Sequence, residues 1–363
     1  MFLVKSVLVA GALAATGLIS PSAAAGAPRP TLQHVVDQLV RDGAPGALAV
    51  VRTRSGVVRV QSGLARRSPR LTMVATDRFR VASMTKSFVA TVVLQLVAEG
   101  KLRLDDTVER WLPGLVRGGR GITIRELLDH TSGLFDYYDD ERFVKAVVAR
   151  PGWHWSPRAL VAVATRHRPV FPPGEGWAYS NTNYIVLGLV VEAATGTSVA
   201  QQLGQRVIRP LGLHETSFPA ERRIDGPHAD GYIGFATLPR LHSLLDVTSV
   251  VSPSFAWSAG AILSTADDIT RFYSVLLAGR LLPPTLLEAM KTPAPTGKYG
   301  LGLEIVDTPC GRAYGHDGIA PGYRSVAYAR PDGSRVALVM VNVDETFVAQ
   351  SELDEAAMRA LCA

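Results

Sequence analysis

The chain has 363 residues, of which 47% are hydrophobic and 19% charged, and a formal net charge of +6. This is the composition of an ordinary globular protein, long enough for two domains or one bilobed unit, and it excludes a disordered or fibrous chain. The positive excess comes mainly from scattered arginines rather than a basic run with interleaved aromatics, so nucleic acid is not an expected partner.

Residues 1–25 hold one lysine, an apolar run interrupted by Gly11 and Gly17, and then Ala23-Ala24-Ala25. They read as a secretory signal peptide with a small-residue cleavage site. A membrane anchor is the alternative, but the run is weakly apolar and Pro21 ends it early. No later stretch reads as a membrane span. The expectation is a secreted, extracellular protein without stable membrane insertion. Two cysteines, Cys310 and Cys362, in an exported chain suggest one disulfide. Neither has a second cysteine or a histidine at ligand spacing, and His34, His154, His167, His214, His228 and His242 show no metal pattern. No metal or cofactor is expected.

In chain order, residues 31–42 have helical spacing, and 46–56 with 57–67 read as two strands joined by a Ser-Gly turn. A long apolar helix starts at Ser83. A helix-rich middle follows, containing "TIRELLDHTSG", "SPRALVAVATRH", "NYIVLGLVVEAATG" and "SVAQQLGQRVIRPLG", most ending at glycine. From 265 the pattern changes: a helix opens on Thr265, then "YGLGLEIVD", "RAYGHDG", "YRSVAYARPDG" and "SRVALVMVNVD" read as strands with hairpin-like turns. "AQSELDEAAMRALCA" closes the chain as a helix. The expected fold is α/β in the α+β sense, an antiparallel sheet flanked by N- and C-terminal helices with a large helical insertion. Residues 26–100 and 265–363 form the α/β domain and 101–264 the mainly helical one, with the active site in the cleft between them.

The chemistry begins at "FRVASMTKSFVATVVLQLVAEG". Ser83 and Lys86 lie one helical turn apart and share a face near a helix N-terminus. The residues after them are apolar nearly all round, as in a helix buried on every side. A lysine there loses hydration, which favours its neutral form and makes it a base for the serine. Ser-x-x-Lys alone is a weak signal. In "GWAYSNTNYIV", Tyr179 and Asn181 lie on a loop. Tyr179 can act as a phenolate base or pass a proton to a leaving group, and Asn181 can hydrogen-bond a substrate amide; a tyrosine that simply packs locally is the bland reading. In "YGHDGIAPGY", His316, Asp317 and Gly318 sit on a strand facing the cleft. Gly318 gives room for a substrate backbone, and the Ile319 N–H pairs with that of Ser83 as an oxyanion hole. His130 in "LLDHTSG" reads as structural, holding a loop at a helix C-terminus.

Taken together, Ser-x-x-Lys, Tyr-x-Asn and His-x-Gly in this order resemble the three elements of one penicillin-recognising site. The chain resembles the secreted serine-type D-Ala-D-Ala carboxypeptidases of the class-C β-lactamase-like superfamily. "LLDHTSGLFDY", "SAGAILSTADDI" and "YGLGLE" carry the resemblance further along nearly the whole mature chain. It implies the β-lactamase/transpeptidase-like fold, with Ser83 as the acylated nucleophile, Lys86 as its base partner and Tyr179 as the proton carrier to the leaving amine. Asn181 and His316 would bind substrate and support Tyr179, and Phe255 would form an aromatic wall. The cysteine pair matches the group's single disulfide. The implied function is a D-Ala-D-Ala carboxypeptidase-like D-peptidase acting on peptides such as peptidoglycan stem peptides, with β-lactams as covalent inhibitors.

The pattern departs at the substrate's end. Where close relatives place an arginine after "YGLGL", this chain has Glu304, and Asp317 and Ile319 replace the hydroxyls that flank the His-x-Gly glycine. Two acids there disfavour a terminal carboxylate, unless Glu304 faces the other side of the sheet and pairs with an arginine. A D-peptidase that cuts internally or accepts a substrate ammonium, an esterase or amidase on the same scaffold, and a non-catalytic penicillin-binding or sensor module are the readings to separate. A β-lactamase is disfavoured by His-Asp-Gly. The sequence leaves the oligomeric state open.

Overall fold

A computed structural model of the chain describes residues 31–238 and 241–363; the expected signal peptide at 1–25 lies outside the described residues. Helix α1 (Leu32–Arg41) is capped by the Thr31 hydroxyl, which accepts from the His34 N–H, the usual way an N-terminal orphan donor is satisfied. Strands β1 (Gly46–Thr53) and β2 (Gly56–Arg67) form the expected hairpin, and β3 (Arg70–Thr72) extends it. After β4 (Phe79–Arg80) a 3₁₀ turn at Ala82–Met84 leads into α2 (Thr85–Ala98).

The middle of the chain carries α3 (Val108–Trp111), α4 (Ile124–Leu128), α5 (Glu141–Ala149), α6 (Pro157–Ala164), α7 (Asn181–Thr195) and α8 (Val199–Leu203). A hairpin of β5 (Tyr232–Leu238) and β6 (Leu241–Asp246) follows, then α9 (Trp257–Gly260) and β7 (Leu263–Ser264). Helix α10 (Ala266–Leu277) opens on Thr265, whose hydroxyl accepts from the Asp268 N–H. Then come α11 (Pro284–Lys291), strands β8 (Glu304–Thr308), β9 (Gly311–Ala320), β10 (Tyr323–Ala329) and β11 (Arg335–Val341), and the closing helix α12 (Gln350–Cys362).

Seven strands make one sheet in the order β3-β2-β1-β11-β10-β9-β8, every neighbour antiparallel. Its two faces follow from strand alternation. Ala47, Ala49 and Val51 of β1 and Val339 and Val341 of β11 meet α1 and α12. Leu48 and Val50 with Leu338 and Met340 face the other way, into the core that holds Phe88 of α2 and Phe272 of α10. Each Val, Leu or Met side chain so enclosed stabilises the fold by about 1.5–3 kcal/mol. Helix α2 is buried along almost its entire length, as its all-round apolar pattern demands, among α7, α8 and α9, with Phe88 stacked on Phe272 of α10.

The division of the chain needs one correction. Span 101–264 is mainly helical but contains the β5–β6 hairpin, which joins the sheet side: the Tyr232 N–H donates to the Asn342 carbonyl and the Asp344 N–H to that of Tyr232, both at 3.1 Å. The Cys310–Cys362 bond ties the β8–β9 turn to the end of α12. Among the described residues no single helix is long and apolar enough to cross a membrane.

Candidate active site

Ser83 lies in the 3₁₀ turn immediately before α2, not within the helix as the sequence suggests, so its Oγ stands at the positive end of the helix dipole. Lys86, one turn on, is completely buried. Its Nζ lies 2.9 Å from Ser83 Oγ, 2.9 Å from Asn181 Oδ1 and 2.8 Å from the Ala259 carbonyl of α9. Burial lowers its pKa to about 7, against the opposing pull of Asp136, Asp317 and Glu304. Near neutral pH a large share of the amine is therefore unprotonated.

Tyr179, on the loop before α7, donates its hydroxyl to Ser83 Oγ at 2.9 Å. Burial, then the Asp317 carboxylate, push its phenol well above the usual range. It is a proton donor here, and the phenolate alternative is disfavoured. Lys86 Nζ sits 4.8 Å from the Tyr179 ring centre, which keeps base and donor together on one oxygen. The His130 ring packs 4.4 Å from that of Tyr179, and its Nδ1 accepts from the Ser180 N–H at 3.2 Å. Burial keeps this imidazole neutral. His130 thus clamps the tyrosine loop to the end of α4.

Among the described residues, three non-glycine residues adopt left-handed backbone: Ala82 (φ 47°), His130 (φ 64°) and Trp257 (φ 34°). One precedes the nucleophile, one supports Tyr179 and one starts the helix that offers Ala259 to Lys86. Strain of this kind persists where the surroundings over-determine a geometry, often at functional sites.

Asn181 joins the lysine to a further acid. Its Oδ1 meets Lys86, while its Nδ2 and its backbone N–H both donate to Asp136 Oδ2, at 2.8 and 3.0 Å. These hydrogen bonds support the lysine, and the residue also lines the pocket beside Ser83. Asp136, which sequence reasoning passed over inside "LLDHTSGLFDY", is buried, and burial raises its pKa to about 6 despite these N–H donors. Its only sequence signal was an Asp ahead of a short turn; its Oδ1 caps that turn by accepting from the Tyr138 N–H.

On β9, Gly318 lies against the turn that holds Ser83. A Cβ there would stand 2.4 Å from the Val81 carbonyl, so the room this glycine provides is taken by the chain itself and not by a substrate. Ile319 lines the same small pocket as Ser83. His316 is fully buried, which removes it from direct substrate contact. Its Nε2 meets the Tyr299 hydroxyl at 2.9 Å and its Nδ1 the Asp317 carbonyl at 2.8 Å, while its ring stands 6.2 Å from that of Tyr179. Tyr299, which sequence reasoning also missed, stands between His316 and the site, its ring 6.2 Å from that of Tyr179.

Glu304 and Asp317 remain partly open to solvent, with side chains 23% and 26% exposed. The Asp317 N–H donates to Glu304 Oε2 at 3.2 Å. Burial first and the Asp317 carboxylate second push Glu304 well above the usual carboxylate range. Burial also works to raise Asp317, but the His316 ring and Lys86 outweigh it and hold that carboxyl low. Of the two, Glu304 is the more readily protonated. Among the described residues the ion-pair neighbour of Glu304 is His316, not an arginine. Glu304, His316 and Asp317 bring ligand atoms within 4.8 Å of one another, a grouping able to hold a metal ion that no sequence spacing revealed.

Phe255 stacks on Tyr138 with ring centres 5.6 Å apart. Both line a pocket of about 30 Å³ beside Ser83, with Ala259, Ile319 and Pro321. A larger cavity of about 790 Å³ lies at the disulfide end, among Leu32, Cys310, Met358 and Cys362, and contains none of these groups.

The family model described as Beta-lactamase matches residues 32–361. Penicillin-binding protein 4* of Bacillus subtilis (strain 168) is 28% identical over 323 residues, covering 82% of this chain and 67% of that one. Esterase EstB of Burkholderia gladioli is 32% identical over 318 residues, covering 77% and 80%. The crystal structure of a D-stereospecific amidohydrolase from Streptomyces sp. superposes with a TM-score of 0.82 at 37% identity, covering 91% of this chain and 98% of that one. The chain belongs to the beta-lactamase family of serine hydrolases, within the fold shared by penicillin-binding proteins.

Proposed function

We propose that this protein is an exported serine hydrolase that cleaves amide or peptide bonds of D-amino-acid units through an acyl-enzyme on Ser83. We further propose that its substrates present an ammonium or an uncharged amide, not a free carboxylate, to Glu304 and Asp317. The observation that carries the reading is the contact set at Ser83 Oγ, with a buried amine and a neutral phenol both at 2.9 Å. Unprotonated Lys86 takes the Ser83 proton as Oγ attacks the carbonyl carbon. The backbone N–H groups of Ser83 and Ile319 stabilise the oxyanion. The C–N bond breaks as the Tyr179 hydroxyl protonates the leaving amine, and the Lys86 ammonium returns a proton to Tyr179. Water then attacks the ester by the same route in reverse, releasing the acid and free Ser83. β-Lactams, as strained cyclic amides, would acylate Ser83 in the same way.

The amidohydrolase likeness supports D-stereospecific amide cleavage, and the esterase likeness extends the chemistry to activated esters, which need less help at the leaving group. A D-Ala-D-Ala carboxypeptidase is the second reading. It requires a terminal carboxylate beside two acids, and a carboxylate facing a carboxylate costs rather than stabilises. Export rests on the character of residues 1–25. The deciding comparison is kcat/KM for D-alaninamide, L-alaninamide and a peptide ending in free D-Ala-D-Ala. Preference for the D-amide supports the proposal, and preference for the free D-Ala-D-Ala terminus returns the carboxypeptidase.

A further inference from the structure

We propose that Asp136 is a positioning residue for acylation: it fixes the side-chain amide of Asn181 so that the lone pair of Lys86 is left for the Ser83 hydroxyl. The inference rests on the acyl-enzyme part of the reading above and is independent of the substrate class. A neutral amine has two N–H donors and one lone pair. Three groups surround Lys86 Nζ: the Ala259 carbonyl, Asn181 Oδ1 and Ser83 Oγ. The first is an acceptor only. If Asn181 also presents its oxygen, the two carbonyls consume both N–H donors, and the lone pair faces the hydroxyl that must lose its proton. If the Asn181 amide turns over, its NH₂ donates into that lone pair, and Lys86 meets Ser83 as a donor instead of a base.

Asn181 has no preference of its own between these orientations. Asp136 supplies it. An ionised carboxylate is acceptor-only, and Oδ2 takes both the backbone N–H and the Nδ2 of Asn181. The oxygen end is thereby turned to Lys86. The second carboxylate oxygen is anchored by the Tyr138 N–H at 3.0 Å, so the acceptor is itself fixed. Asp136 also acts through its charge. The groups that face Lys86 are Asp136, Asp317 and Glu304, the Tyr179 and Tyr184 rings, and neutral His130; of the three acids, Asp136 opposes its deprotonation most.

Two variants separate positioning from charge. Asp136→Ala removes the acceptor, and Asp136→Asn keeps an acceptor oxygen while removing the charge. The readout is the rate at which the full-length protein forms an acyl-Ser83 adduct with p-nitrophenyl acetate, followed by the nitrophenolate burst across pH. Asp136→Ala should acylate about a hundredfold more slowly, the size of a lost general-base contribution. Asp136→Asn should retain most of that rate. In both, the acid limb should move down by about one pH unit, because a nearby negative charge no longer stabilises the ammonium. If Asp136→Ala fails to fold, the position of the acid limb in Asp136→Asn decides. A wild-type limb together with a wild-type rate in the folded variants overturns the proposal and reduces Asp136 to a turn cap. A wild-type protein that forms no adduct overturns the Ser83 reading itself, a different failure.

Discussion

Glu304 and Asp317 stand side by side on adjacent strands, the Asp317 N–H donating to the Glu304 carboxylate at 3.2 Å. Strand alternation sets both carboxylates on the sheet face of Val326 and Tyr328, opposite His316 and Tyr314, and their charge still reaches Lys86 and Tyr179. Glu304→Arg with Asp317→Thr removes the acidic pair and adds a cation. An opposite charge held near a ligand carboxylate is worth on the order of 1–3 kcal/mol, so kcat/KM for a peptide ending in free D-Ala should rise roughly ten- to hundredfold. An uncharged ester of similar shape should change far less. An unchanged ratio of the two values in a folded double variant would show that these acids do not read the substrate's end.

The pH dependence follows from Lys86. Its amine must be unprotonated to accept the serine proton, and burial sets its pKa at about 7. Below that value the ammonium form dominates, and kcat/KM should fall tenfold for each unit of pH. Above it the rate should level off, because Tyr179 stays protonated well beyond the usual phenol range. A profile on a neutral ester without an acid limb near neutrality would show that Lys86 is not the base.

Gly318 holds β9 against the Ser83 turn. In Gly318→Ala the new methyl would stand 2.4 Å from the Val81 carbonyl, and backbone cannot yield as a flexible side chain does. Overpacking of this kind costs about 1–3 kcal/mol. The turn that carries Ser83 is the part that must shift, so ester turnover should drop more than tenfold alongside a lowered Tm. Wild-type turnover in this variant would mean that the strand and the turn do not constrain each other.

The Cys310–Cys362 bond spans 52 residues. Loop closure of that length is worth about 4 kcal/mol in the chain-entropy model, which for a domain of this size is roughly 5–15 °C in Tm. Replacing both cysteines by alanine should lower Tm by that order, read by circular dichroism, while the unreduced, denatured wild-type protein shows almost no free thiol. Two titratable thiols, or an unmoved Tm, would contradict the pairing or its weight.

Much of the site was legible because its spacing is local. Ser83 and Lys86 declare themselves as one turn of an all-apolar helix, and the short turns between 46–56 and 57–67 and between the late strands mark an antiparallel sheet. What sequence could not give were partners set by tertiary contact. Nothing in "FDY" says that Asp136 reaches Asn181, nor in "WSAG" that the Ala259 carbonyl meets Lys86, because both bonds join elements far apart in the chain. His316 was read as facing substrate, yet the register of β9 turns it inward onto Tyr299. The 3₁₀ turn at Ser83 was hidden because a helix start and a tight turn share the same apolar pattern. The β5–β6 hairpin was missed inside a helix-rich span because its pairing with Asn342 and Asp344 is non-local.

The covalent adduct on Ser83 is the most direct test of the catalytic assignment. Intact-mass spectrometry of the wild type and of Ser83→Ala, quenched in acid after mixing with a p-nitrophenyl ester and separately with a penicillin, reads it in one experiment. The wild type should gain the mass of one acyl group, mapped by peptide digestion to Ser83, and the variant none. An adduct that persists on Ser83→Ala, or one that maps to another residue, would contradict that assignment.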